Sequence, residues 1–323
     1  MLNNKVILIT GGTGSFGQKF VETVLKKYKP EKLIIFSRDE LKQYEMKKRF
    51  NHPCLRYFLG DVRDKDRLHR ALHGVDIIVH AAALKQVPAL EYNPFEAVKT
   101  NILGSENIIN AAIDNKIKKV IALSSDKAAN PINLYGATKL CADKLFIAGN
   151  AYSGDAETIF SVVRYGNVCN SRGSVVPLFK EESKKSCMSI TDERMTRFWI
   201  TLEQGVDFLL NCLKIMQGGE IFVPKIPSVK MLDLAKTMAP GCDIKVIGIR
   251  PGEKLSEVLI PEDEAHNTID FRNMYIILPA YRNWDPKNVY KAHKRLEHGF
   301  KYASDNNTDW VSAKDLKKML EKV

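Results

Sequence analysis

Lys5-Val-Ile-Leu-Ile-Thr10, followed by Gly11-Gly-Thr-Gly-Ser-Phe-Gly17, is the stretch that decides the fold of this chain. The apolar run is typical of a buried strand, and the glycine-rich segment of a turn that opens a helix. Glycines at positions 12, 14 and 17 permit a tight turn and let a pyrophosphate approach the backbone at the helix N-terminus. Because the motif lies between a strand and a helix, it predicts a dinucleotide site.

Strands and helices alternate through the next 150 residues or so. Apolar runs predict strands at 33–36, 55–59, 75–80, 120–123 and 159–164, and helical patterns cover 40–50, 65–72, 94–115 and about 135–150. This alternation predicts an α/β fold, a Rossmann-type doubly wound parallel sheet.

The composition changes after Gly166, where loops rich in Gly, Pro and Ser separate shorter elements. We therefore expect a Rossmann domain over 1–166, to which 198–224 returns. A smaller α+β substrate-binding lobe with a polar tail is expected over 167–197 and 225–323. No chemistry is predicted for the tail.

Composition narrows the functional classes. The chain has 323 residues, 45% of them hydrophobic and 27% charged, and carries a net charge of +11. Its basic residues fall in short clusters, which favours a solvated surface and a cleft for an anionic nucleotide over a nucleic-acid site. No apolar run is long enough for a membrane span or precedes the first strand as a signal peptide, so a cytoplasmic protein with no membrane partner is expected. The six scattered cysteines predict no metal site.

The end of the second predicted strand bears on the choice of dinucleotide. Ser37 and Arg38 supply a hydroxyl and a guanidinium that suit a 2′-phosphate, so NADP is predicted rather than NAD. Asp39 is an acidic residue of the kind that binds the ribose of NAD, so NAD remains an alternative. Asp61, after the third strand, is predicted either to contact the adenine amine or to cap the next helix.

Ser124 and Ser125 end the fifth strand and precede Tyr135-x-x-x-Lys139, whose side chains fall one helical turn apart. An ammonium beside a phenol favours phenolate, and with a cationic nicotinamide it is expected to lower the pKa of Tyr135. The spacing is common, since the pairs Tyr28/Lys32, Tyr44/Lys48 and Tyr290/Lys294 share it. Only Tyr135/Lys139 follows a strand end that bears hydroxyl groups, which singles it out.

With His80-Ala-Ala-Ala83 after the fourth strand, these motifs resemble the extended short-chain dehydrogenase/reductase family. Asp126-Lys127 resembles its nucleotide-sugar 4,6-dehydratase branch. Five blocks are similar to the members that act on UDP-N-acetylglucosamine with inversion at C5, at the start of pseudaminic acid synthesis for flagellin glycosylation: Ser37 to Lys42, Asp126 to Lys139, Arg164 to Asn167, Arg172 to Pro177 and Arg250 to Lys254. The resemblance covers about residues 1 to 280.

The resemblance implies an internal redox cycle. Tyr135 takes the proton of the sugar C4 hydroxyl while hydride passes to NADP⁺, Lys127 removes the C5 hydrogen, and Asp126 protonates the departing C6 hydroxyl. Hydride then returns to C6, and reprotonation on the opposite face inverts C5. A lysine base must be neutral, so we expect Lys139 and the nicotinamide to lower the pKa of Lys127 against the opposing charge of Asp126.

The resemblance also implies the binding residues and a homo-oligomer, with a hexamer as one form. The catalytic group comprises Ser125, Asp126, Lys127, Tyr135 and Lys139. The cofactor group comprises Gly11, Gly14, Ser15, Phe16, Gly17, Ser37, Arg38, Asp61, Val62, Ala81, Ala82, Lys85, Tyr135 and Lys139. The group for the UDP-sugar comprises Lys85, Asn167, Val175, Arg197, Arg250 and Glu253, where Arg250 either grips the pyrophosphate or pairs with Glu253.

Three other functions remain open. A dehydratase that retains C5 has the same motifs, and a UDP-sugar 4-epimerase would leave Asp126 and Lys127 idle. A regulator that senses NADP is the alternative from another class. Such sensors typically lose the Tyr/Lys pair, which this chain retains.

Overall fold

The computed structural model describes residues 1–169, 171, 174–183, 187–280, 290 and 292–321. Its strands are β1 (Val6–Thr10), β2 (Lys32–Ser37), β3 (Leu55–Leu59), β4 (Ile77–His80), β5 (Lys119–Leu123), β6 (Ile159–Val163), β7 (Asn167–Val168), β8 (Cys187–Ile190), β9 (Thr196–Ile200), β10 (Ile221–Pro224), β11 (Ser228–Lys230), β12 (Asp243–Val246), β13 (Val258–Ile260), β14 (Thr268–Phe271), β15 (Met274–Ile277) and β16 (Tyr302–Ala303). Its α-helices are α1 (Ser15–Lys27), α2 (Glu40–Arg49), α3 (Lys65–Ala71), α4 (Val87–Tyr92), α5 (Pro94–Ala97), α6 (Gly104–Asp114), α7 (Leu134–Tyr152), α8 (Val175–Glu182), α9 (Leu202–Ile215), α10 (Met231–Met238), α11 (Glu262–Ala265) and α12 (Ala313–Glu321). Within these ranges no helix is both long and apolar enough to cross a bilayer.

The apolar run that opens the chain lies inside a nine-stranded sheet. The strand order is β14-β15-β10-β6-β5-β4-β1-β2-β3, and the strands from β3 to β10 run parallel. All five residues of β1 are buried, as expected where helices cover both faces of a parallel sheet. The order 3-2-1-4-5-6 is that of a doubly wound sheet. The predicted Rossmann-type α/β fold is confirmed.

One predicted helix is interrupted. The continuous helix expected over 94–115 consists of α5, a π-helical segment (Val98–Leu103) and α6. Asn101 lies in the π segment, where its side chain accepts a hydrogen bond from the Leu84 N–H and donates to the Leu84 carbonyl and the Thr138 hydroxyl. The apolar pattern predicted the helix but not the change of pitch, because the cause is a contact with residues distant in sequence.

The second half of the chain adds small sheets beside the large one. Strands β11, β9 and β7 form one sheet, β12 pairs with β8, and β13 pairs with β16 from the tail. A separate apolar cluster forms there around Trp199, Phe179 and Leu234. The division into domains stays a prediction. Strands β14 and β15, which fall within the expected lobe, join the large sheet.

Candidate active site

A cleft of about 630 Å³ opens at the carboxyl ends of β1, β2, β4 and β5. Ligands in doubly wound sheets bind at this edge. Every residue predicted for the cofactor lines the cleft, and so do all five predicted for catalysis. The turn between β1 and α1, the ends of the parallel strands and the start of α7 therefore bring together residues from distant parts of the sequence.

The glycine turn is shaped to accept a ligand. Gly11 has φ +63°, and a Cβ there would lie 2.9 Å from the backbone of Ala81. A Cβ on Gly17 would lie 2.4 Å from the backbone of Gly12, so α1 can pack this closely on the turn only with glycine. Gly14 caps α1 without a side-chain hydrogen bond, and the first turn holds no acidic residue. The N–H groups of this turn therefore fit a phosphate of a dinucleotide.

Ser37, Arg38 and Asp39 lie at the carboxyl end of β2, where the choice of dinucleotide was predicted. The Ser37 hydroxyl is buried and accepts a hydrogen bond from Gln43 Nε2 at 3.0 Å. The Arg38 side chain is half exposed, and its Nη1 lies 3.7 Å from Asp61 Oδ2. Asp39 caps α2 by accepting the Lys42 N–H at 3.0 Å, and its other oxygen pairs with Lys42 Nζ. Its carboxylate is thus engaged with the helix start, although Asp39 lines the cleft together with Ser37 and Arg38.

Asp61 is held by two arginines. Arg63 donates to it through its backbone N–H at 3.0 Å and through Nη2 at 2.8 Å. Burial by itself would raise the pKa of Asp61, but the hydrogen bonds and charge of Arg63, with Arg38, keep the pKa below its ordinary value. Asp61 caps no helix, since α3 begins after Asp64.

His80 is a structural residue beneath the cleft. Its Nδ1 lies 2.8 Å from Thr10 Oγ1, which also accepts the N–H groups of Ala81 and Ala82 at 3.1 and 3.2 Å. Burial, reinforced by the charge of Lys139, lowers the pKa of His80 to about 3. The ring is therefore neutral at physiological pH, and it fixes the ends of β1 and β4.

Tyr135 and Lys139 lie on one face of α7, and both are buried. Lys139 Nζ donates to the Leu123 carbonyl at 2.6 Å. Burial lowers the pKa of Lys139, against the attraction of Asp143. Burial also raises the pKa of Tyr135, and this effect outweighs the opposing charge of Lys127 and the hydrogen bond with Ser125. The expected lowering of the Tyr135 pKa is therefore not produced by the chain's own residues.

The other Tyr/Lys pairs lie away from the cleft. Lys48 Nζ stacks 4.2 Å from the ring centroid of Tyr44, both on α2. Tyr28 ends α1 whereas Lys32 starts β2. Tyr290 hydrogen-bonds to the buried Glu220 at 3.2 Å. The context of the strand end, not the spacing, identified the pair at the cleft.

Asp126 and Lys127 form an ion pair on the cleft wall. A short 3-10 helix (Asp126–Ala128) follows β5, and Ser125 caps it by accepting the Lys127 N–H at 3.0 Å. Lys127 Nζ donates to Asp126 Oδ1 at 3.1 Å. The Asp126 side chain is 2% exposed, and its Oδ2 has no hydrogen-bond partner in the described part of the chain.

The charge state of Lys127 differs from expectation. Burial would lower the pKa of Lys127, but the carboxylates of Asp126 and Glu257 together raise the pKa well above its ordinary value. The chain's own residues therefore do not produce the expected lowering of the pKa, because the expectation counted one carboxylate and the structure supplies two. In this arrangement Lys127 is an ammonium ion.

Two of the residues predicted for the sugar nucleotide line the cleft. Asn167, in β7, has a buried Oδ1 with no hydrogen-bond partner among the described residues. Lys85 is exposed overall, but loss of water around its ammonium group and then the charge of Lys127 lower its pKa. Both supply polar groups that a ligand can satisfy.

The other four lie off the cleft lining. Arg250 is half exposed, and its Nη1 lies 3.9 Å from Glu253 Oε1, the pairing that was its alternative role. Arg197 is buried and donates to the carbonyls of Thr196 and Leu255 at 2.7 and 3.1 Å. Val175 begins α8. Their roles toward a sugar nucleotide stay predictions.

Two features of the site were missed. Glu257 lies 3.3 Å from Lys127 Nζ, and nothing in the sequence signals a contact between residues so far apart. Gly136 allows α7 to touch the 3-10 helix, since a Cβ there would lie 2.3 Å from the Lys127 carbonyl oxygen. Gly136 stands inside the quoted Tyr-x-x-x-Lys motif, so its sequence position was the available signal.

Known proteins resemble the chain along its whole length. The model of the polysaccharide biosynthesis protein family matches residues 7–279. The inverting UDP-N-acetylglucosamine 4,6-dehydratase of Campylobacter jejuni is 55% identical over 98% of this chain and 97% of its own. A UDP-glucose 4-epimerase of Rickettsia conorii is 41% identical over 99% of this chain and 96% of its own. Among solved structures, Pen from Bacillus thuringiensis superposes with a TM-score of 0.91 at 39% identity, over 100% of this chain and 98% of that one.

Proposed function

This chain belongs to the polysaccharide biosynthesis protein family, and we propose that it catalyses the 4,6-dehydration of a UDP-sugar, UDP-N-acetylglucosamine, with inversion of C5. The observation that carries the proposal is the Asp126–Lys127 pair, 3.1 Å apart on the cleft wall that also holds Tyr135. An acid and a base in contact suit removal of water across adjacent carbons. The 55% identical relative named for this reaction supports the choice of substrate and of C5 inversion.

The glycine turn, Ser37 and Arg38 would hold a nicotinamide dinucleotide, which when bound accepts hydride from C4 and returns it to C6. Tyr135 takes the proton of the C4 hydroxyl. Ser125, which hydrogen-bonds to Tyr135, orients the phenol, and Lys139 places a positive charge one turn away. Burial keeps Tyr135 protonated until the charge on the cofactor offsets the desolvation.

Asp126 and Lys127 act as one unit in the elimination. The C5 proton goes to a neutral Lys127 amine, and the C6 hydroxyl leaves with a proton from Asp126. A single proton transfer from Lys127 Nζ to Asp126 Oδ1, over the 3.1 Å that separates them, creates both competent forms at once. The transfer is uphill because the pKa of Lys127 is raised, but it leaves the net charge of the pair unchanged.

We also propose NADP as the dinucleotide. Ser37, Arg38 and Asp39 all line the cleft, but the Asp39 carboxylate is engaged with Lys42, which leaves a hydroxyl and a guanidinium for a 2′-phosphate. Lys85 and Asn167 offer polar groups to the sugar, and Arg250 with Glu253 is proposed for the pyrophosphate and uridine. Homo-oligomeric assembly and a place in pseudaminic acid synthesis complete the proposal, on the family resemblance.

The test is incubation with UDP-N-acetylglucosamine in D₂O, followed by NMR. We expect a 4-keto-6-deoxy product with deuterium at C5 and the L configuration. A product with unchanged C5 configuration would indicate a retaining dehydratase.

The epimerase relatives make 4-epimerisation the second candidate. It requires Tyr135 and Lys139 but gives Asp126 and Lys127 no task. Conversion to the galacto epimer without loss of water would establish it and sink the dehydratase proposal. Salt-dependent retention on DNA with no turnover of any UDP-sugar would favour an NADP-sensing regulator.

A further inference from the structure

A third buried carboxylate, Glu257, lies behind Lys127. Its Oε1 is 3.3 Å from Lys127 Nζ and 3.7 Å from Arg197 Nε, and its side chain is 4% exposed. Glu257 does not line the cleft, whereas Lys127 does. Of its two ion-pair partners, Lys127 lines the cleft and Arg197 does not, so we expect an effect of Glu257 on a bound sugar to pass through Lys127.

The backbone of Glu257 is fixed by the tail of the chain. Its N–H donates to Ser304 Oγ at 2.9 Å, and the Ser304 N–H donates back to the Glu257 carbonyl at 2.8 Å. Ser304 is fully buried, and its hydroxyl also lies 2.8 Å from Thr196 Oγ1. The pairing of β13 with β16 continues directly from this contact. The position of the carboxylate is thus set by two elements rather than by one loop.

The charges around Lys127 give the carboxylate a role. The neighbours are the anions Asp126 and Glu257, the cations Arg197, Lys85 and Lys254, and the Tyr135 hydroxyl. A buried carboxylate is costly unless it is paired. Glu257 uses one oxygen for both of its cations, and Oε2 has no hydrogen-bond partner within the described residues. Its placement is therefore explained by charge opposite Lys127 more than by local hydrogen bonding.

We infer that Glu257 is a positioning residue of the elimination step, which holds Lys127 Nζ beside Asp126 and stabilises the positive charge that forms on it. The inference rests on the proposed function. In that step the C5–H bond breaks and its proton moves to Lys127 Nζ. The electron pair forms the C5=C6 bond, the C6–O bond breaks, and the oxygen leaves as water with the Asp126 proton. Glu257 keeps its negative charge throughout.

The substitution Glu257→Gln keeps the shape and removes the charge. Because a negative charge raises the proton affinity of every nearby group, its loss moves both limbs of the pH–rate profile to lower pH, by about 1–3 units. We expect kcat to fall by about 10- to 100-fold with KM little changed. Glu257→Asp should restore part of the shift.

Glu220→Gln is the matched control. Glu220 is also fully buried and accepts from Ser161 at 2.6 Å, but it precedes β10 at the sheet edge opposite the cleft. Its loss should lower stability without moving the pH–rate profile. An unmoved profile in Glu257→Gln would overturn the inference, even if kcat fell.

A second measurement needs no substrate. Lys127 is 27% exposed, so trace acetylation with acetic anhydride at a series of pH values, read by peptide mass spectrometry, reports when its amine becomes neutral. We expect Lys127 to be acetylated at lower pH in Glu257→Gln than in the protein of unchanged sequence. Equal pH dependence of acetylation in the two proteins would overturn the inference. If the protein of unchanged sequence dehydrates no UDP-N-acetylglucosamine, the proposed function fails, and this labelling still decides the role of Glu257. Should Glu257→Gln not fold, both measurements are made on Glu257→Asp and Ser304→Ala. We expect a smaller shift in the same direction, and the absence of any shift would contradict the inference.

Discussion

At the scale of single residues, Lys127 is central to the proposed elimination step. Its ammonium group lies between the carboxylates of Asp126 and Glu257, at 3.1 and 3.3 Å, and it also reaches the cleft. A group held this way can be a base only if a neighbour takes its proton. Asp126 is in contact with Lys127, and in the proposed mechanism it needs a proton to release the C6 hydroxyl as water.

Lys127→Ala should stop dehydration and leave nucleotide binding intact, because Lys127 is not among the residues predicted to hold the cofactor. A loss of at least about a hundredfold in kcat is expected for removing a positioned base. The measurement is NMR of product together with fluorescence titration of NADP. Lys48→Ala, in the exposed pair with Tyr44, is the control and should keep full activity. Unimpaired turnover of Lys127→Ala would remove this residue from the mechanism.

Arg38→Ala should weaken NADP more than NAD. The guanidinium is half exposed and faces the cleft, so its removal costs a charge-assisted contact to a 2′-phosphate, about tenfold or more in affinity. Calorimetric titration with both dinucleotides checks this. Arg49→Ala is the control, since Arg49 ends α2, donates to Gln18 and does not line the cleft. Equal weakening of NADP and NAD by Arg38→Ala would contradict the assignment.

Single residues were predictable where the local motif carried the information. Tyr135 and Lys139 could be chosen from four equally spaced pairs because a strand end with hydroxyl groups precedes only one. Glu257 could not be predicted, since its contact with Lys127 exists only after β13 folds against the tail. The pKa of Lys127 was misjudged for the same reason.

At the scale of elements, the approach of α7 to the 3-10 helix sets the geometry of the site. A Cβ on Gly136 would lie 2.3 Å from the Lys127 carbonyl oxygen and 3.0 Å from Pro131 Cβ. The contact joins the helix that carries Tyr135 and Lys139 to the turn that carries Asp126 and Lys127. Only a residue without a side chain permits it.

Gly136→Ala should therefore separate the two elements and lower both stability and turnover. Overpacking of this kind costs about 1–3 kcal/mol. Urea unfolding and the dehydration assay measure the two effects. Gly205→Ala is the control, because Gly205 lies in α9 and its nearest contact would be Tyr165 at 3.9 Å. There alanine should stabilise the helix by about 0.5–1 kcal/mol. Equal stability and activity in both variants would contradict the role of the close approach.

Most elements of the first half were predictable because the strands are short apolar runs and the helices have clear polar boundaries. Strand β3 has the predicted bounds. Helix α4 and strands β8 and β9 were missed, since their patterns are short and their partners lie elsewhere in the chain. The π segment shows the same limit, because Asn101 bonds to Leu84 and Thr138.

For the whole molecule, burial of a neutral His80 ties stability to pH. The pKa of His80 is about 3 in the folded protein and 6.5 as an ordinary value, so the unfolded chain binds more protons between these values. The stabilisation is complete above pH 6.5 and is lost as the pH falls from there toward 3. The loss is about 1.4 kcal/mol per pH unit.

His80→Gln should flatten this dependence, because glutamine does not titrate. The free energy of unfolding in urea, measured at several pH values below 6.5, should fall less steeply in the variant. The exposed His73, replaced by Gln, is the control and should leave the slope unchanged. If the free energy of unfolding falls equally steeply with pH in His80→Gln and in the protein of unchanged sequence, another group governs the loss of stability at low pH.

The hydrogen bonds between Ser304 and Glu257 also bear on the order in which the site is completed during synthesis. A chain is synthesised from its N-terminus, and the glycine turn, Ser37 and Tyr135–Lys139 all belong to its first 139 residues. Glu257 gains its backbone partners only once residue 304 has been made. Chains that end before that residue hold every residue predicted for the cofactor but no anchored carboxylate behind Lys127. Cofactor binding alone therefore does not report whether this carboxylate is in place.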